Sequence, residues 1–139
     1  MRVLFDTDLV LDLVLDREPF VDAAADVFNL HEKGRIRGYI SGITLINVFY
    51  LTRKSKGIVG ARKAVEELLT TLSICPLDQL VLENAHRLTF TDYEDAVQHA
   101  CATASGLDAI ITRNLADYKN ATLPVFSPTD FLNQLTPPE

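Results

Sequence analysis

Short apolar runs alternate with longer amphipathic segments along almost the whole chain, and this alternation limits the folds open to it. "RVLF" at Arg2–Phe5, "GYIS" at Gly38–Ser41, "SIC" at Ser73–Cys75, "AIIT" at Ala109–Thr112 and "PVF" at Pro124–Phe126 read as strands. Helices are expected over Phe20–Lys33, Thr44–Lys54, Ala61–Thr71 and Leu80–Leu88, from Thr91 through Ala104, and over Thr129–Leu135. Ser41 or Thr44 supplies a helix start, Gly34 and Gly106 supply stops, and Gly57 with Gly60 brackets a turn. Thr91 and Glu94 have the spacing of a capping box. The expected architecture is one α/β domain with a mostly parallel central sheet and helices on both faces. In such sheets ligands bind beyond the carboxyl ends of the strands.

The length of 139 residues suits a single domain, and 47% hydrophobic content supports a core without metal or disulfide staples. The opening "MRVLFDTDLVLDLVLDRE" is apolar but broken by Asp6, Asp8, Asp12 and Asp16, so neither a signal peptide nor a membrane span is expected. Cys75 and Cys101 lack metal-site spacing and read as reduced core thiols of a cytoplasmic protein. The net charge of −6 opposes indiscriminate binding to nucleic acid. The bases are uneven, however: Arg53, Lys54, Lys56, Arg62 and Lys63 lie close together, either as a nucleic-acid patch or as a solvated helix end.

The aspartates carry the functional signal. Asp6 directly follows the first strand, and Asp117 follows the fourth. Asp92 and Asp95, three apart at a helix start, share a face. These four acids from three segments can converge at one sheet edge. Asp6 is the hardest to explain otherwise, because an acid at an apolar strand end is costly unless something pairs with it. Asp92 serves the helix start equally well. Asp8 and Asp12 read as cap or surface residues, and Asp108 precedes its strand, at the wrong end. Oxygen ligands without a His or Cys cluster point to Mg²⁺ or Mn²⁺. His31, His86 and His99 are scattered. An acidic, His-poor site suits phosphodiester hydrolysis, with carboxylates as ligands or general base.

The order of these motifs resembles the PIN-domain family, which includes the VapC toxins. "VLFDTD" resembles its opening motif, "ISGITLINVFYLTRK" the second, "DYEDAVQHACA" the third and "DAIITRNLADY" the fourth. The resemblance implies a single PIN-like domain with an Mg²⁺- or Mn²⁺-dependent endoribonuclease site. It implies Asp6, Asp95 and Asp117 as catalytic metal ligands, Asp92 as a further ligand, and Ser41, Asn47, Thr112 and Asn114 around them. An RNA substrate and a cognate antitoxin are implied partners. Two positions depart from the pattern: Asn47 stands where the family usually has Glu, and Asn114 where it usually has Asp. Asp117 resembles the acid that a related branch carries in a "TRN…DF" arrangement.

Two other functions compete. One is a PIN-fold module that binds RNA or protein, its catalysis weakened by Asn47. The other is a dehalogenase-type phosphatase, in which Asp6 is the nucleophile and Asp8 the acid. That family also needs a downstream Lys and a later acidic pair, which "AIITRN" does not supply. The runs "TLINVFYL" and "LVLDLVL" are more apolar than one core face requires, so a homodimer or antitoxin surface is expected.

Overall fold

The computed structural model describes residues 1–135. Five strands, β1 (Arg2–Phe5), β2 (Arg37–Ser41), β3 (Ser73–Cys75), β4 (Ala109–Ile111) and β5 (Val125–Phe126), form one sheet in the order β3-β2-β1-β4-β5. Every pairing is parallel. The strands alternate with helices α1 (Thr7–Val14), α2 (Val21–Glu32), α3 (Gly42–Thr71), α4 (Gln79–Arg87), α5 (Tyr93–Ala104) and α6 (Pro128–Leu135), and a short 3-10 turn spans Leu115–Tyr118. This is the expected single α/β domain.

Side chains alternate across a strand, so a strand covered on both faces must be apolar throughout. Val3 and Phe5 enter a core with α1, α2, α3 and α6, built from Leu9, Val27, Val48, Leu68 and Phe131. Leu4 faces the other way, into a second core with α4 and α5 that holds Val81, Val97 and Cys101. Gly38 fits a close approach between strand and core: a Cβ there would stand 2.6 Å from the Phe5 ring. Both cysteines are free and buried. No helix among the described residues is long and apolar enough to cross a membrane.

Several boundaries differ from the sequence reading. Helix α1 is an addition to the expected elements: it follows β1 after the single residue Asp6, so the apolar run of the strand passes almost directly into that of the helix. Its Leu9, Val10 and Leu11 are core residues, whereas Leu13, Val14 and Leu15 are only partly buried against that core. The two helices expected on either side of Gly57 and Gly60 are present as the two halves of α3, which meet at a kink where Gly57 leaves helical geometry at φ 73°, ψ 178°. Ser41, not Thr44, caps α3. Asp92, not Thr91, caps α5 by accepting from the Asp95 amide.

Candidate active site

The carboxyl edge of the sheet is where β1 ends and α1 begins, and Asp6 occupies that junction. Its amide donates to the Ile111 carbonyl at 3.0 Å, which ties the residue to β4. Its carboxylate accepts from Thr112 Oγ1 at 2.7 Å, from the Thr7 amide at 2.8 Å and from Gln98 Nε2 at 3.3 Å. Burial pushes its pKa up, and these hydrogen bonds hold it back. Thr112 is itself buried and accepts from the Asn114 amide at 3.1 Å. The three partners therefore orient a carboxylate that has no cation beside it.

Helix α5 brings the next acids. Asp95 is half-buried in its first turn. Burial, followed by the charges of Asp6, Asp92, Asp117 and Glu94, pushes its pKa up to about 7. The charges acting on it come from the end of β1, from the start of α5 and from the turn after β4. Asp92 and Asp117 lie exposed at the rim. The Tyr118 hydroxyl is buried without a hydrogen-bond partner, and its pKa is driven far up by burial and by Asp6, Asp95 and Asp8.

Three residues join this group that the sequence reading had placed elsewhere or passed over. Asp8 is no surface cap. Its carboxylate accepts from Asn114 Nδ2 at 2.9 Å and from the Arg113 amide at 3.3 Å, and burial with the Asp6 charge pushes its pKa to about 6. Gln98 is fully buried and reaches Thr44 Oγ1 at 2.8 Å and Thr7 Oγ1 at 3.2 Å as well as Asp6. Its only signal in the sequence is a polar residue inside the apolar stretch of α5. Glu94 faces Asn47, whose Nδ2 donates to its carboxylate at 2.8 Å. Burial and the Asp92 and Asp6 charges raise its pKa.

Asp12 corrects the other surface assignment. It is 1% exposed and forms a bidentate ion pair with Arg113, at 2.6 and 3.0 Å. Asp108 is exposed at the opposite end of the sheet, where it accepts from the Arg2 amide. His99 is buried against Thr122, and Ser41 serves the α3 start, so neither turns a donor to the acids.

The donor set is hard oxygen throughout. Asp8 Oδ1 and Gln98 Oε1 are buried without a hydrogen-bond partner. Such atoms are costly in isolation and suit a bound cation or water. The chemistry fits Mg²⁺ or Mn²⁺ better than zinc. Among the described residues, no three His, Cys, Asp or Glu side chains already close around one point.

Residues 2–116 match the PIN domain. No curated protein matches the chain in sequence. Solved structures do. The chain is similar to the DNA-bound VapBC of Salmonella typhimurium at TM-score 0.73 and 20% identity, covering 92% of this chain and 98% of that one. It is similar to a toxin–antitoxin complex from Klebsiella pneumoniae at 0.69 and 26%, covering 91% and 97%. The VapC20 toxin of Mycobacterium tuberculosis, described as cleaving the sarcin–ricin loop, matches at 0.63 and 16%, covering 78% and 86%.

Proposed function

The chain belongs to the PIN-domain family, and from that premise we propose that it is a metal-dependent endoribonuclease. Asp6, Asp95 and Asp117 would hold Mg²⁺ or Mn²⁺, with Asp92 assisting from the rim. The observation that carries this reading is an acid group at the carboxyl edge of the sheet with no cationic side chain paired to it. Arg113 is the nearest base, and its guanidinium is engaged by Asp12. A divalent cation held by these residues would supply a lowered pKa for a coordinated water and an offset to charge on a scissile phosphate.

The protein's own groups set the conditions for that chemistry. Thr112, Gln98 and the Thr7 amide hold the Asp6 carboxylate in one orientation. Burial and the neighbouring acids push the Asp95 pKa up to about 7, so loading a metal there would release a proton and metal affinity would rise with pH. The basic residues Arg53 and Lys54 are exposed on α3, about 9–11 Å along the helix from Asn47 at its ordinary rise. That reach suits the phosphates flanking a cleavage point. The dehalogenase alternative loses ground, because the polar partners of Asp6 are Thr112, Thr7 and Gln98 with no lysine among them.

The toxin–antitoxin complexes among its structural neighbours support an antitoxin partner here too. The exposed Ile46, Tyr50 and Leu51 on α3 supply an apolar face for it or for a second copy of the chain. Light scattering at high micromolar concentration tests the homodimer, and a clean monomer would remove it.

The test of the activity is incubation with structured RNA, with and without Mn²⁺, beside Asp6→Asn. Cleavage that requires the metal and is lost in the variant is expected. RNA binding without metal-dependent cleavage would favour the binding-module reading, with Asn47 as the weak point.

A further inference from the structure

Helix α3 enters the site from β2, and α5 enters from the opposite side of the same edge. They meet at two polar contacts: Gln98 Nε2 donates to Thr44 Oγ1 at 2.8 Å, and Asn47 Nδ2 donates to Glu94 Oε1 at 2.8 Å. Neither Asn47 nor Glu94 needs the second contact for its own helix. The cap of α3 is Ser41 and that of α5 is Asp92. Glu94 is therefore free of any capping duty, yet it is half-buried beside acids. One turn further along α5, on the same face, stands Gln98. Gln98 is fully buried, its amide nitrogen is bonded to Asp6, and its oxygen has no partner. A buried acceptor left open beside the Asp6 carboxylate suits a bound cation or water.

We infer that Glu94 supplies a carboxylate to the divalent cation, and that Asn47 is the positioning residue that aims it. This rests on the metal-site reading given above. An amide at position 47 contributes only a dipole to a hard cation, whereas its NH₂ group can fix a carboxylate brought in from α5. The charge at this corner of the site is then carried on α5 and oriented from α3. A Glu at position 47 would instead repel Glu94, so the two positions act as a pair.

Mn²⁺ binding to the full chain, followed by the electron spin resonance of free Mn²⁺, tests the pair. Folding of each variant is checked by circular dichroism. Glu94→Gln should weaken binding about tenfold, the size of one charge-assisted contact. Asn47→Ala should weaken it less, since the carboxylate remains but is no longer aimed. The double exchange Asn47→Glu with Glu94→Gln should recover affinity to within about threefold of the natural chain, a rescue that a merely structural role would not produce. Asp6→Asn separates this inference from its premise. If Asp6→Asn weakens Mn²⁺ binding and Glu94→Gln does not, the role of Glu94 is overturned and the metal site stands. If neither weakens it, the metal-site reading itself falls.

Discussion

Two groups of buried acid lie close together in this fold, and they are treated in opposite ways. Asp12 on α1 is almost fully enclosed and neutralised: Arg113 grips it with two hydrogen bonds, and Arg17 stands 3.8 Å away. One turn earlier in sequence, Asp8 and Asp6 belong to a group with Glu94 and Asp95 that has no cationic side chain paired to it. The two ion pairs among the described residues both serve Asp12. No pKa in the second group is lowered; burial and mutual repulsion raise those of Asp6, Asp8, Glu94 and Asp95. The same residue type is thus neutralised where a base meets it and left to mutual repulsion where none does.

The contrast can be broken from either side, and the paired side should give the largest effect. Arg113→Met leaves Asp12 buried without its partner and should cost roughly 3 kcal/mol. Adding Asp12→Asn should recover much of that loss in urea unfolding. Equal instability of the single and double variants would show that Arg113 acts through something else, such as its 3.8 Å stacking on Phe20.

On the unpaired side the sign reverses. Asp95→Asn removes a charge that its neighbours oppose, so the metal-free variant should melt higher at pH 7.5. Asp95 is half exposed, so screening reduces the gain to about 0.5–1 kcal/mol, or roughly 2–3 °C. A lower melting point would mean that Asp95 is held in place rather than repelled.

The smallest effect is in pH. The folded pKa values of Asp8 and Asp95, about 6 and about 7, lie above the ordinary 3.8. Between 3.8 and about 7 the native chain therefore holds protons that the unfolded chain has released. Metal-free stability from these groups is full at low pH and is lost as pH rises through that window. His99, whose pKa burial lowers, contributes with the opposite slope. The informative quantity is the difference between natural chain and Asp95→Asn, measured in EDTA from pH 5 to pH 8. The variant should show the flatter decline, and parallel curves would contradict the assignment of Asp95.

What could be read in the sequence depended on how local the cause was. The short apolar runs that make β1 to β5 announce themselves, most clearly in β1 and β4, where burial on both faces demands continuous apolar residues. Helix α1 is harder to separate, because only Asp6 divides its apolar run from that of β1, although Asp8, Asp12 and Asp16 recur at helical spacing. Asp12 could not be told from a surface acid, since its partner lies 101 residues away. Gln98 was hidden likewise, its contact to Asp6 spanning 92 residues. Glu94 was misread because Thr91 and Glu94 also satisfy a capping-box spacing, while Asp92 does the capping. Family resemblance pointed to Asp6, Asp95 and Asp117, but only the folded arrangement adds Asp8, Glu94 and Gln98 beside them.

The central claim is that the unpaired acids exist to meet a divalent cation. Thermal melting with Mn²⁺ titrated into the metal-free chain tests it most directly. Binding to the native state alone stabilises by about 2.7 kcal/mol at a hundredfold excess over the dissociation constant, so the midpoint should climb by several degrees. Asp6→Asn should blunt that rise, whereas Asp108→Asn, at the far end of the sheet, should leave it intact. A midpoint of the natural chain that stays unchanged at millimolar Mn²⁺ would contradict the account.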